Sequence, residues 1–420
     1  MFNSLLNSLD LSKIKYPGLR TLYTNKKYLR YNNVKKLKDV DPILFIIIYD
    51  SHLKYFLSIV NYLEKQKINY SLVSLRSDFK EQLLPYSKRL INIGDFFGKI
   101  DIIISFIIQT ITFFKYLFFN NTIKSFATLK YYKDYYLIRL SLKHIIRRNK
   151  INLIMMFKGD GLYAQAIGQL IHENNYKIKI IVMQHGLIAS IPQYKNLPID
   201  EFWVWSNFFK NRLLKLGVNY SIKVLGDPTT DNFFNRKELL KIKKNNKIKI
   251  LFAPNHGNSH TSKSQVVNTL NWIVRYAKNN FNIALTIKPH PGDNHNIIKK
   301  NIKNSDSIKN LKILSKNDDI IINDYYIMII NNSTIGMEAA MNNIPVLVLA
   351  ENKNQVMVKQ YLDYGFAEVA YNYEELIKKI DFIKTNYALF QEKAKLFIDE
   401  MYEYKGESKN KILKELSKYN

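Results

Sequence analysis

Two stretches of this chain are best equipped for chemistry: Lys288-Pro289-His290-Pro291 and, about forty residues later, Asn332-Ser333-Thr334-Ile335-Gly336-Met337-Glu338. In the first, a proline on either side of His290 removes backbone donors and fixes the chain. The imidazole is placed to donate to a phosphate oxygen, and Lys288 adds a cation. The second offers two hydroxyls, Ser333 and Thr334, at a predicted helix start, where free N–H groups and the helix dipole favour a phosphate. Gly336 allows close backbone approach. Glu338 lies four residues beyond Thr334, on the same helix face, and can accept hydrogen bonds from ribose hydroxyls. Asn255 and His256, after another predicted strand, are further candidates for the nucleotide. The set suits the phosphates and ribose of an activated nucleotide, which serves as co-substrate, and no cofactor is expected.

The first half supplies the complementary chemistry. Lys158-Gly159-Asp160-Gly161 follows an apolar run, and Asp160 between two glycines is sterically open. Its carboxylate can take a proton from an acceptor hydroxyl. Gln184-His185-Gly186 follows the next apolar run, so His185 is a second candidate base or a substrate contact, with Gly186 permitting a tight exit. His52, His144, His172 and His295 have no setting that suggests chemistry. No HExxH or clustered Asp/His pattern appears. The single Asp-x-Asp, Asp39-Val40-Asp41, precedes the first predicted strand, poorly placed to hold a metal–diphosphate. The expectation is metal-free transfer, with protein donors meeting the leaving-group charge. A Walker lysine loop is missing. Gly159 to Ala164 fits a loose dinucleotide pattern, but the position about 20 residues on, where an acidic ribose ligand belongs, falls near Met183 and Gln184.

These residues depend on strands to hold them. Ile43 to Tyr49 is an uninterrupted apolar run suited to a strand buried on both faces. Asp50-Ser51 caps a helix with apolar residues at helical spacing, and Tyr70–Leu75 is the next strand. Such a βαβ opening predicts a parallel sheet. Strands follow at Leu153–Phe157, Ile178–Met183 and Phe202–Trp205, with a helix over Ala164–Glu173. Ser221 to Asp227-Pro228 closes the segment on turn residues. The alternation then restarts, with strands at Ile248–Phe252, Ala284–Ile287, Tyr326–Ile330 and Pro345–Leu349, a helix over Val266–Lys278, and charged helices from Tyr373 on. The pattern predicts two α/β domains, residues 1–228 and 229–420, the last helices packing back on the first.

With 420 residues and 47% hydrophobic content, the chain can bury two cores. It has no cysteine, which excludes disulfides and thiolate metal sites. No secretory signal is read at Met1–Lys15, and a cytosolic location is expected. Lysine and arginine number 63 against 35 acidic residues, a balance of +28 that attracts polyanions. No nucleic-acid-binding pattern stands out, so an anionic inner membrane leaflet is the expected partner surface. Ile102–Phe119 is almost wholly apolar but interrupted by Gln109, Thr110, Thr112 and Lys115; it suits a core or interfacial helix better than a span.

The order acidic-Gly, Gln-His-Gly, Trp203-Val204-Trp205-Ser206, Gly226-Asp227-Pro228, Lys-Pro-His-Pro and Ser-Thr-x-Gly-x-Glu-Ala resembles GT-B-fold bacterial glycosyltransferases of surface polysaccharide synthesis. The nearest in style are capsule polysaccharide transferases, sialyl- and polysialyltransferases, and CDP-glycerol glycerophosphotransferases. The resemblance covers about Ile151 to Ala350. It implies two Rossmann-like domains facing across a cleft, the second holding a nucleotide-sugar donor, CMP- or UDP-linked, and the first a glycan or lipid-linked glycan acceptor. It implies Asp160 as general base, with His290, Ser333 and Thr334 at the donor phosphate. The sialyltransferase motif carries two acidic residues before glycine, and here Gly159 takes the place of the first. The function expected is inverting, metal-independent sugar transfer to a capsule, lipopolysaccharide or related glycan. Glycerophosphate or polyol-phosphate transfer and nucleotide-sugar 2-epimerisation are the alternatives.

Overall fold

A computed structural model of the chain describes residues 41–48, 50–74, 83–86, 88–92, 138–147, 149–157, 162–188, 194–236, 247–254, 262–289, 298, 301–302, 308–315, 318 and 320–420. Strands β1 (Ile43–Ile47), β2 (Tyr70–Ser74), β3 (Leu90–Asn92), β4 (Leu153–Met156), β5 (Lys179–Met183), β6 (Glu201–Val204) and β7 (Ser221–Val224) form one sheet. A second comprises β8 (Ile248–Ala253), β9 (Ile283–Ile287), β10 (Leu311–Ile313), β11 (Ile327–Ile330), β12 (Val346–Leu349) and β13 (Ala367–Ala370). The helices are α1 (Asp50–Lys65), α2 (Leu162–Glu173), α3 (Asn207–Leu216), α4 (Asp231–Phe234), α5 (Lys263–Lys278), α6 (Ile335–Met341), α7 (Lys359–Asp363), α8 (Tyr373–Thr385), α9 (Tyr387–Met401) and α10 (Ser408–Leu416). Residues 138–147 are also helical. The apolar segment 102–119 and the first forty residues lie outside the described residues. Among those described, no helix is long and apolar enough to cross a membrane.

Every strand pairing among the described residues is parallel. The first sheet runs β3-β2-β1-β4-β5-β6-β7 and the second β10-β9-β8-β11-β12-β13. Numbered within each half, both begin 3-2-1-4-5-6, the doubly wound order of a Rossmann sheet. The order reverses between β1 and β4 in one sheet and between β8 and β11 in the other. The central strands β1, β4, β11 and β12 are apolar runs with every residue buried, as parallel strands covered on both faces require. All five residues of β1 and all four of β4 are buried. In the second core, Ile250, Phe252, Leu285, Ile287 and Ile329 pack with Leu270 and Ile273 of α5 and Leu376 and Ile380 of α8.

The chain divides into two compact units. The first holds residues 1–185, 190–232 and 404–420, the second residues 186–189 and 233–403. The last helix, α10, therefore belongs to the first unit, where it packs on α1. Asp231 fixes it there: one carboxylate oxygen accepts the Ser408 N–H at 3.1 Å, the other the Lys409 N–H at 2.8 Å. A charge at the positive end of the helix also meets its dipole. Lys409 then bonds Asn232 at 2.8 Å and lies over the Tyr62 ring.

Ion pairs gather at the amino ends of the first sheet. Glu201, only 4% exposed, meets Lys179, Lys223 and the Trp203 indole N–H. Burial would raise its carboxyl, but these three donors outweigh it and hold it low. Asp41, the described acidic residue of the Asp-x-Asp, sits at the same edge, bonded to Ser71 and paired with Arg89 at 3.5 Å. At the far end of β7, Gly226 takes a φ of 81°, the left-handed region that glycine enters freely, and turns the chain into Asp227.

Asp227 is buried, accepting from the Thr229 N–H at 2.9 Å, its hydroxyl at 2.7 Å, and the Tyr55 hydroxyl at 3.3 Å. Burial outweighs these bonds and pushes its carboxyl up to about 6. A raised carboxyl binds its proton more tightly folded than unfolded. Its stabilising share is full below the unfolded pKa of about 4 and is lost as pH rises through about 6, a cost of about 3 kcal/mol at neutrality. Asp227→Asn should therefore gain thermal stability relative to the native protein between pH 4.5 and pH 7.5. Melting temperatures of both proteins across that range check this; a constant difference would contradict it.

Candidate functional site

In open parallel sheets, ligands bind outside the carboxyl ends of the strands, where the strand order reverses. In the first unit that place lies between the exits of β1 and β4, beside the exit of β5. His52, in the first turn of α1, is fully buried and meets His185 edge to face, ring centroids 5.3 Å apart. The Ile48 N–H points at His52 Nδ1 at 3.4 Å, which assigns the imidazole proton to Nε2. Phe157, at the end of β4, backs the His52 ring at 5.9 Å. His185 keeps partial exposure. Sequence reasoning gave His52 no role. The signal was present, because it follows β1 within one turn just as His185 follows β5.

Gln184, the first residue of Gln-His-Gly, is structural. Its side-chain oxygen accepts the Trp205 N–H and its carbonyl the Trp205 indole N–H, each at 3.1 Å. The exit of β5 is thereby fastened to the exit of β6, and His185 is held at the edge. Among the described residues, no atom beyond its chain neighbours lies within 4 Å of where a Cβ on Gly186 would stand, so crowding does not explain the glycine there. Asp160 lies outside the described residues.

In the second unit the reversal lies between the exits of β8 and β11. Ser333 and Thr334 follow β11 and lead into α6. Thr334 holds the N-cap position, but its side chain makes no cap bond; the Ser333 hydroxyl instead receives the Ile335 N–H at 3.4 Å. Both hydroxyls stay at least partly exposed, and Glu338 is exposed one turn later. Gly336 has a different reason from the one expected. A Cβ there would stand 2.5 Å from the buried Tyr361 ring, so the glycine admits a tyrosine from α7. The Tyr361 hydroxyl in turn reaches the Ser333 carbonyl at 3.4 Å.

Two asparagines brace the approach to this motif. Asn331 is fully buried, and its amide donates to Thr269 Oγ1 at 3.2 Å and to the Leu349 carbonyl at 2.9 Å, joining β11 to α5 and β12. Asn332 donates to the Gln355 carbonyl and accepts from the Met357 N–H. Beside Thr269 on α5, Gln265 is 1% exposed, and neither of its amide atoms finds a partner; the Asn331 oxygen is also unsatisfied. Each such atom costs about 1–3 kcal/mol. These buried polar groups stand beside the exit of β11. No sequence period distinguishes them from core positions.

Lys288 follows β9, and its ammonium donates to the Ser315 carbonyl at 3.0 Å and to that of Asp318. Part of its charge thus organises the loop after β10. The Ser315 N–H and its hydroxyl, ahead of Lys288, hold the Asp318 carboxyl low. His290, Asn255 and His256 lie outside the described residues. Among the described residues, no group of three or more acidic or histidine side chains could hold a metal.

Several solved structures share this architecture. Staphylococcus aureus MnaA, in a co-structure with UDP, matches with TM-score 0.58 and 15% identity over 90% of this chain and 96% of that one. Neisseria meningitidis UDP-GlcNAc 2-epimerase bound to UDP-GlcNAc gives 0.59 and 14% over 90% and 100%. Acinetobacter baumannii MurG gives 0.51 and 12% over 90% and 99%. At these identities the likeness is one of fold, that of GT-B enzymes with two Rossmann-like domains. Among curated proteins none matches the chain in sequence. Residues 207–418, just over half of the chain, match the CDP-Glycerol:Poly(glycerophosphate) glycerophosphotransferase family. With that match added to two doubly wound sheets, the chain belongs to the CDP-glycerol glycerophosphotransferase family of transferases.

Proposed function

We propose that the chain transfers glycerophosphate, or a closely related polyol phosphate, from a CDP-linked donor to a cell-envelope polymer, a capsule or another surface glycan, at the cytoplasmic face of the membrane. The family match carries the reading: residues 207–418 include every candidate for the donor, from Asn255 to Glu338. In this reading the chemistry is the one that the family's name describes. An acceptor hydroxyl attacks the phosphorus next to glycerol, a new P–O bond forms, the P–O bond to CMP breaks, and the hydroxyl proton passes to a base. In this reading Asp160 is the base and His185 the alternative. His290, Ser333 and Thr334 meet the charge that develops on the CMP phosphate, Lys288 adds to the field, and Glu338 takes the ribose. Asn255 and His256 complete the donor contacts. Protein donors meet the leaving-group charge without a metal.

A second reading is sugar transfer from a nucleotide-linked donor. It is favoured by the fold shared with structures that hold UDP or UDP-GlcNAc. The two readings use the same base and the same donor motifs, and differ in whether phosphorus or an anomeric carbon is attacked. The basic surface charge suits an anionic polymer or membrane in either case.

A donor panel separates them. Ligand binding to the folded state raises its melting temperature by mass action. CDP-glycerol should raise it most, and should release CMP when acceptor is added. A larger shift with UDP-GlcNAc or a CMP-sugar, followed by sugar transfer, would replace the first reading with the second. Epimerisation of UDP-GlcNAc without any acceptor would replace both.

The donor assignment is tested by His290→Ala. Loss of a hydrogen bond to a charged phosphate should weaken CDP-glycerol binding by about 1.5–3 kcal/mol with an unchanged melting temperature. Calorimetric titration reads this directly, and unaltered affinity would remove His290 from the site. For the base, Asp160→Asn should cut turnover by about 10²–10⁴ while donor affinity stays the same. His185→Ala should cost less in the same assay. If the order reverses, His185 is the base.

A further inference from the structure

A recess lies at the other edge of the first sheet. In the first unit a cavity of about 560 Å³ opens at the amino ends of β6 and β7, the edge opposite Gln184 and His185. About 13 Å of strand separates the two edges at four residues of β6. One wall is the outer face of α2, where Gln165, Gln169 and His172 recur at helical spacing. Across from them stand Asn196 and Asn219. The floor is the apolar segment Leu197-Pro198-Ile199. Gly168 sets its depth: a Cβ there would lie 2.1 Å from the Pro198 carbonyl oxygen, so the helix backbone rests on the segment itself. The neighbouring groups are fixed, since Asp200 accepts the Ile180 N–H at 2.7 Å and the Tyr220 hydroxyl donates to the Tyr194 carbonyl at 2.8 Å.

The lining points to a ligand class. In a chain with 63 lysines and arginines, none of the described residues lining this cavity is a lysine or an arginine, while the lining includes Asp200. A lining without lysine or arginine and with a carboxylate, Asp200, suits an uncharged ligand better than phosphate or another anion. The side chains of Gln165, His172, Asn196 and Asn219 make no hydrogen bond within the protein. Each side-chain amide offers donors and an acceptor together, the combination that matches a hydroxyl on either side of a carbon. Polar side chains converging over the Leu197-Pro198-Ile199 segment, at a volume within the usual range of about 300–1,000 Å³, suit a small polar ligand.

We propose that this cavity binds an uncharged, hydroxyl-rich unit, a saccharide ring, as a second contact for the acceptor polymer at a distance from the reacting end. The acceptor part rests on the transferase reading; the saccharide site does not. Saturation-transfer NMR on the full chain, with glucose, galactose and N-acetylglucosamine as probes, tests it without any turnover. At least one sugar should receive saturation through its ring protons. Asn196→Ala/Asn219→Ala, at two exposed positions, should weaken that sugar about tenfold, the loss of two ordinary hydrogen bonds. Excess CDP-glycerol should leave the signal in place. Absence of saturation with all three sugars would overturn the proposal. So would a signal indifferent to the double substitution, or one removed by CDP-glycerol. A site that binds sugars while donor transfer fails would leave the saccharide site standing and remove only its link to the acceptor.

Discussion

The backbone of a parallel sheet buried on both faces cannot meet water along its length, so its chain must leave and return through crossovers. Every strand then ends at the same edge. In this protein that single constraint sorts the side chains by chemistry. The amino edge of the first sheet collects carboxylates neutralised by lysine and arginine, around Glu201 and Asp41. The carboxyl edges collect imidazoles, amides and hydroxyls: His52, His185, Asn331, Ser333 and Thr334. The first group is satisfied internally. The second includes hydroxyls and an imidazole that keep access to solvent.

Close packing supports that edge from behind. Gly336 lets the Tyr361 ring lie against α6, and the same tyrosine reaches the Ser333 carbonyl. Asn331 ties the end of β11 to α5 and β12. A motif that reads as loop plus short helix is thus fixed from three directions, which is how a site holds its geometry without a ligand. Gly168 does the same work at the other edge, seating α2 on Pro198. In both places the glycine matters for what packs against it and not for backbone freedom.

Much of the fold was legible because the strands are long runs of Ile, Leu, Val and Met. The strands at Ile43, Leu153, Lys179, Ile248 and Val346 lie within a residue or two of where hydrophobic pattern placed them. Three edge or near-edge strands escaped. Leu90–Asn92 and Leu311–Ile313 are only three residues long, too short for a period, and Ala367–Ala370 contains Glu368, whose charge pairs with Lys379. Ser333, Thr334 and Lys288 in the second unit and His185 in the first stand at strand exits, as their positions in the alternation implied. His52 was passed over because its partner, His185, is far away in sequence. Gln265 and Asn331 were invisible for another reason: polarity becomes unusual only when burial is known, and burial is a tertiary property.

The carboxylate of Asp231 on the start of α10 has a consequence for biosynthesis. Residues 404–420 complete a unit whose other parts lie before residue 233. On the ribosome, the first sheet emerges and can pair its strands long before the helix that covers α1 exists. Until then α1 keeps an open flank around Tyr62, and Asp231 waits buried-side out for N–H groups that arrive last. The second unit, by contrast, is one continuous stretch apart from residues 186–189, all of them made before residue 404, and can close as soon as it leaves the exit tunnel. Vectorial synthesis therefore inverts the order of the chain: the half that is made first is the half that finishes last.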